Sequence, residues 1–165
     1  MAESNSSTAP NAESLRTPPY SLEAEQAVLG GLMLDNSSWD QIADVLVEDD
    51  FHLFDHRVIF RAISDLAYHN QPFDVVTLSD KIKQSAESGS FNAKNVSVYI
   101  ATLAKETPTA ANIVAYADIV REKSILRQLA SIGTDIAGSA YQSQGRDSSE
   151  LLDLAEQKIL RIGDQ

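Results

Sequence analysis

From Thr109 to about Tyr141 the chain runs without a proline and with apolar residues at helical intervals. That stretch constrains the fold more than any other, because its predicted helix far exceeds the average helix length in a globular domain. Its second half sets Ile125, Leu129, Ile132 and Ile136 at steps of four, three and four, a seam of coiled-coil type. Gln142–Asp147 is polar and contains Gly145, and Ser148 or Ser149 can cap a last helix carrying Leu152, Ala155, Ile159 and Ile162. Two amphipathic helices joined by a short polar loop predict an αα-hairpin. A lone hairpin leaves apolar stripes in water, at about 1.5–3 kcal/mol for each Leu or Ile left unburied. Either it folds back on the rest of the chain or it packs against another copy or another protein; the length and spacing favour association.

The preceding residues predict a compact helical head. Ser21 caps a helix over Leu22–Leu34 with Glu23 and Glu25 in its first turn. Gly30-Gly31 inside it marks either a close approach by another backbone or a fraying point. Ser38 with Gln41 three residues later reads as a capping box for a helix to about Val47. Asp55 is placed to cap a third helix with Val58, Ile59, Ala62, Ile63 and Leu66 on one face. After Pro72, Asp74 or Thr77 caps a fourth; Ser85–Lys94 is a polar loop, and Val96–Lys105 a fifth helix. Val75-Val76 and Phe51–Phe54 are short strand candidates without partner strands, so the predicted class is all-α: a multi-helix head over residues 20–107 followed by a long helical hairpin over 108–165. Residues 1–19, rich in Ser, Ala, Asn and Pro, read as a disordered tail without an apolar export region, and no run is long enough to span a bilayer. A cytoplasmic location without membrane attachment is expected.

Chemistry is sparse. With 24 acids against 13 bases and a formal charge of −11, the chain is a poor free-standing nucleic-acid binder. Eleven of those acids fall in residues 1–60, opposed only by Arg16 and Arg57, so the front carries −9; this is either a docking surface for a basic partner or a solvated face. The absence of cysteine excludes a disulfide scaffold, a thiolate zinc site and a Cys nucleophile. There is no phosphate-binding glycine loop and no G-x-S-x-G elbow. His52 and His56, four apart and near Asp49, are the one metal candidate; with Asp55 as a cap, His52 precedes the helix and the pair loses its common face. No catalytic, cofactor-binding or metal residue is therefore assigned. Phe51, Phe54, Phe60, Tyr99 and Tyr116 read as core, Trp39 as a lid on the head, and His69 as surface.

Four blocks carry a family resemblance: PPYSLEAEQAVLGGLMLDN, DDFHLFDHRVIFRAI, PFDVVTLSDKI and TPTAANIVAYADIVREKSILRQL, with SSELLDLAEQKILRIGDQ at the end. In order and spacing they resemble the amino-terminal part of the bacterial replicative DNA helicase, the DnaB family, over about Pro18 to Ile162. The sequence departs from the family at Phe91–Val96, where members often carry a Gly-Gly pair, which bears on the 85–97 loop. The resemblance implies the amino-terminal domain of an ATP-dependent ring helicase whose ATPase half, with its ATP and Mg sites, is missing here. It implies self-association into dimers and a hexameric collar (a trimer of dimers), recruitment of primase, and contact with DNA only through the full-length ring. On stripe spacing, the residues assigned to hairpin packing and primase recruitment are Ile125, Leu129, Ile132, Ile136, Leu152, Ala155 and Ile159. Glu23, Glu25 and Gln26 match the family motif in a structural role. The competing readings are a free-standing acidic helical adaptor and a small metal-dependent hydrolase using His52, His56 and Asp49.

Overall fold

The computed structural model describes residues 16–85 and 95–164; the predicted disordered tail up to residue 15 and most of the 85–97 loop lie outside them. Among the described residues there are seven α-helices and no strand: α1 Leu22–Leu34, α2 Trp39–Ile42, α3 Phe54–Tyr68, α4 Val75–Gln84, α5 Val96–Glu106, α6 Ile113–Tyr141 and α7 Ser148–Leu160. The all-α expectation holds, and both strand candidates resolve into helix starts and an extended link.

α1 begins where expected, the Ser21 hydroxyl accepting from the Ala24 amide at 3.2 Å. Its glycines mark close backbone approach rather than fraying. A Cβ on Gly30 would lie 2.7 Å from the Leu103 carbonyl of α5, and one on Gly31 would lie 3.3 Å from Ile113 of α6. Gly30-Gly31 thus lets α1 sit deep against both helices.

The caps differ from expectation at three places, each because a nearer or more remote group takes the role. Ser38 turns its hydroxyl to the Asp35 carbonyl at 2.6 Å, and Asp35 caps instead, accepting the Ser37 amide at 3.0 Å. α2 accordingly stops at Ile42, and Val47 is extended, its amide held by Asp50 at 2.8 Å. α3 starts at Phe54, so Asp55 sits inside the first turn and makes no cap. α7 is capped by Asp147, which accepts from the Glu150 amide at 2.9 Å, and not by either serine. For α4 the choice between Asp74 and Thr77 falls on Asp74, whose reciprocal bonds with Thr77 form a capping box.

The predicted α3 stripe (Val58, Ile59, Ala62, Ile63 and Leu66) is buried, packed with Val28, Leu29 and Leu32 of α1 and Ile100 and Leu103 of α5 in one core. Trp39 closes over Phe60 with ring centroids 5.5 Å apart, as a lid should. Phe51 and Phe60 are buried, and Tyr99 and Tyr116 are packed against the core. Phe54 is the exception: it is 44% exposed, with the Arg57 guanidinium over its ring.

The long helix starts at Ile113 rather than Thr109, whose hydroxyl accepts the Ala111 amide at 3.0 Å in a local turn. Its first turns belong to the head: Ile113, Ala117 and Val120 are buried in the same core. Beyond Ser124 no residue of α6 is buried, and the helix leaves the head to pair with α7. The connecting turn uses Gln144 and Gly145 with φ of 53° and 81°, the left-handed region that favours glycine. Gly133 and Gly138 stand in the projecting half with nothing near them, although each weakens a helix by roughly 1 kcal/mol relative to Ala.

Candidate association site: the hairpin and its seat on the head

The stripe by which α6 enters the head runs Ile113, Ala117, Val120, Ser124, Arg127, at steps of four, three, four and three. Its apolar members fill the core and its polar members meet Asp50, a carboxylate only 1% exposed. One Asp50 oxygen accepts from Arg121 Nη1 at 2.9 Å and from the Ser124 hydroxyl at 2.7 Å; the other accepts the Val47 amide. Arg127 donates to the Asp50 carbonyl at 2.6 Å and to the Pro19 carbonyl at 2.8 Å. Burial lowers the Arg127 pKa from its ordinary value, against the pull of Glu25 and Asp50. A buried acid with this many donors is satisfied, which a buried charge must be. The other Arg121 nitrogen reaches the Gly163 carbonyl at 3.1 Å, so one guanidinium ties the head to the end of the hairpin.

Beside this seat lies a second buried polar group. Glu25 of α1, 1% exposed, accepts from His56 Nδ1 at 2.8 Å and from the amides of His52 at 3.0 Å and Leu53 at 3.4 Å. Burial pushes the Glu25 carboxyl up, but the His56 and backbone donors together outweigh it and hold the pKa below its ordinary 4.5. Glu25 thus does more than stabilise its own first turn: it serves the amides that lead into α3, where no side chain caps the helix. His56 Nε2 meets the Tyr99 hydroxyl at 2.5 Å. Both ring nitrogens are engaged, which leaves no lone pair for a metal. His52 packs against Tyr20 in a tilted ring contact with centroids 4.4 Å apart, and burial followed by the nearby Arg127 charge lowers its pKa. The His52, His56 and Asp49 set therefore lacks the chemistry of a metal site; His56 is a packed residue, as its sequence context allowed.

The seven hairpin residues occupy the projecting arm. Ile125, Ile132 and Ile136 are half-buried, whereas Leu129 is 50% exposed. On α7, Ala155 is half-buried, Leu152 is 69% exposed and Ile159 49% exposed, and none of its residues is buried. Ile136, Leu152 and Ala155 come together in a groove of about 230 Å³ at the hairpin tip with Leu151 and Leu154. A cross-hairpin ion pair, Lys158 to Asp135 at 3.9 Å, is exposed and contributes little. Sequence reasoning missed the polar seat of Asp50, Arg121, Ser124 and Arg127. Its signal was the apolar stripe of α6 continuing, at unbroken spacing, into Ser124 and Arg127.

Comparisons with known proteins agree with this architecture. The family model described as the DnaB-like helicase N terminal domain matches residues 17–122. The replicative DNA helicase DnaB of Haemophilus influenzae is 46% identical over 151 residues, covering 90% of this chain and 31% of the relative. That of Geobacillus stearothermophilus is 37% identical over 147 residues, covering 89% and 32%. The chain thus spans about a third of the length of the relatives it matches. Among solved structures, the N-terminal domain of DnaB helicase from Mycobacterium tuberculosis matches with a TM-score of 0.82 at 33% identity, covering 88% of this chain and 100% of that one. A helical head of this topology, its hairpin and these matched residues together establish that the chain belongs to the family of DnaB-like helicase N-terminal domains.

Proposed function

We propose that this domain is the association end of a cytoplasmic replicative ring helicase: it assembles and recruits, and does not catalyse. Its head (residues 20–107, seated on the first turns of α6) carries the hairpin of residues 108–165, and hairpins pack copy to copy into dimers. Three dimers form a hexameric collar that recruits primase, while ATP, Mg and DNA are handled by a further domain of the parent protein.

The observation that carries this reading is α7, a thirteen-residue amphipathic helix without one buried residue. Leu152 and Leu160 stay mostly in water and Ile159 about half so, and each forgoes a corresponding part of the about 1.5–3 kcal/mol that full burial contributes. The lengths and names of the matched relatives support the rest. The hydrolase alternative is disfavoured by the engaged His56. For the adaptor alternative, two acids of the −9 front, Glu25 and Asp50, are occupied inside the fold and present no charge to a partner.

Ile132→Asp tests the reading. Ile132 lies beyond the head core, so the variant should keep the head's helicity by circular dichroism. Self-association measured by sedimentation should weaken about tenfold or more, since a carboxylate would enter an apolar interface. Primase binding should fall with it. Assembly equal to the unmodified chain would sink the assignment of the seven residues. Purified protein should also show no ATP turnover above a buffer control.

A further inference from the structure

A groove of about 1290 Å³ runs along a flank of α6 that the hairpin seam does not use; none of the seven seam residues lines it. Thr17-Pro18-Pro19 forms one wall, and α6 from Arg127 to Tyr141 forms the floor. The Arg127 bond to the Pro19 carbonyl fixes the wall to the floor, and the tilted contact of Tyr20 with His52 fixes the wall to the head.

Two features of this groove suit an occupant other than the described residues. The first is its glycines. Gly30 and Gly31 are there because α5 and α6 press on them, but a Cβ on Gly133 or Gly138 would meet nothing within 4 Å. Helix-weakening residues thus stand in the middle of α6 where no other described residue comes close, and both face the groove. The second is charge. In a chain of −11, the lining among the described residues holds the guanidinium groups of Arg16 and Arg127 and no carboxylate. The acids nearest Arg127, Glu25 and Asp50, are buried and committed to His56, Arg121 and Ser124. At the far end Tyr141 is 90% exposed.

We propose that this groove receives an acidic amphipathic helix of a partner protein, its backbone close over Gly133 and Gly138 and its carboxylates toward Arg16 and Arg127. The floor from Arg127 to Tyr141 rises about 21 Å, which matches a partner helix of about four turns. Small residues on the floor (Ala130, Ser131 and Ala137 beside the glycines) bring two helix axes toward the close end of the usual 8–10 Å range. The proposal is independent of the collar reading, because it uses a different face of α6.

The test uses a labelled helical peptide of about sixteen residues built from Ala and Glu, and its Ala and Lys counterpart, titrated against the whole chain by fluorescence anisotropy. The Glu peptide should bind, weaken about tenfold or more between about 50 and 500 mM salt, and shift the amide resonances of Gly133 and Gly138. Arg16→Glu should weaken it about tenfold or more. Gly133→Leu, whose side chain enters open space, should abolish binding while leaving the melting temperature equal or higher. Equal binding of the Lys peptide, or undiminished binding to Gly133→Leu, would overturn the proposal. So would absence of peptide binding together with self-association that Gly133→Leu removes, which would give the groove to a second copy. Ile132→Asp should leave peptide binding unchanged, so failure of the collar reading would be seen separately.

Discussion

Glu25→Ala should lower the stability of the domain by about 3–5 kcal/mol, because each buried donor left without its acceptor costs about 1–3 kcal/mol. Three donors lose their acceptor at once: His56 Nδ1 and the amides of His52 and Leu53. Against a total stability of about 5–15 kcal/mol, that loss brings the variant near its unfolding threshold at ambient temperature. Glu25→Gln, which keeps one carbonyl oxygen, should recover part of it. The dependence on pH has a definite sign. The Glu25 pKa is held below its ordinary 4.5, so its contribution is present above about pH 4.5 and is lost as pH falls through the folded-state value. Urea unfolding at about pH 7 and pH 4 should therefore show the gap between the two proteins narrowing in acid. A deficit under about 1 kcal/mol at neutral pH would refute this account of Glu25.

Gly30→Val should cost about 3 kcal/mol, the upper part of the usual range for overpacking. Its Cβ would stand 1.9 Å from Thr107 Oγ1 and 2.7 Å from the Leu103 carbonyl oxygen. The hydroxyl can move, but the carbonyl belongs to the α5 backbone, so α1 must withdraw from the core it helps to fill. The gain in helix propensity over glycine returns only a few tenths of a kcal/mol. Adding Thr107→Ala should recover part of the loss and leave the part due to Leu103. Gly133→Ala should go the other way, raising stability by up to about 1 kcal/mol, because open space surrounds it. Thermal melts of the three variants decide the matter: equal effects at Gly30 and Gly133 would mean that backbone approach is not what selects glycine at position 30.

The contrast between these glycines also shows what a linear pattern can reveal. Periodicity exposed the α3 stripe, because it lies within one helix and repeats with its turn. Caps were harder. Ser38 and Asp55 had suitable side chains in suitable places, but Asp35 stood closer to one helix start, and Glu25, some thirty residues upstream, supplied the amides leading into the other. The hairpin's polar seat was least visible, since Asp50 meets Arg121 and Ser124 across more than seventy residues. No local spacing rule relates residues that far apart. Gly30-Gly31 was the exception, a local oddity whose cause was remote and whose meaning survived.

The continuity of α6 has a mechanical consequence. From Arg127, its last tie to the head, to Tyr141 the helix extends about 21 Å with no proline to hinge it. A rigid rod clamped at one end acts as a lever: a tilt of about 5° at the clamp moves the tip by about 2 Å, comparable to helix displacements in known switches. Arg121 sits at the fulcrum, holding Asp50 with one nitrogen and Gly163 with another. A small repacking of the head therefore arrives amplified at the far end of the arm, where Leu152 and Ala155 wait, and a load applied there is felt at Asp50.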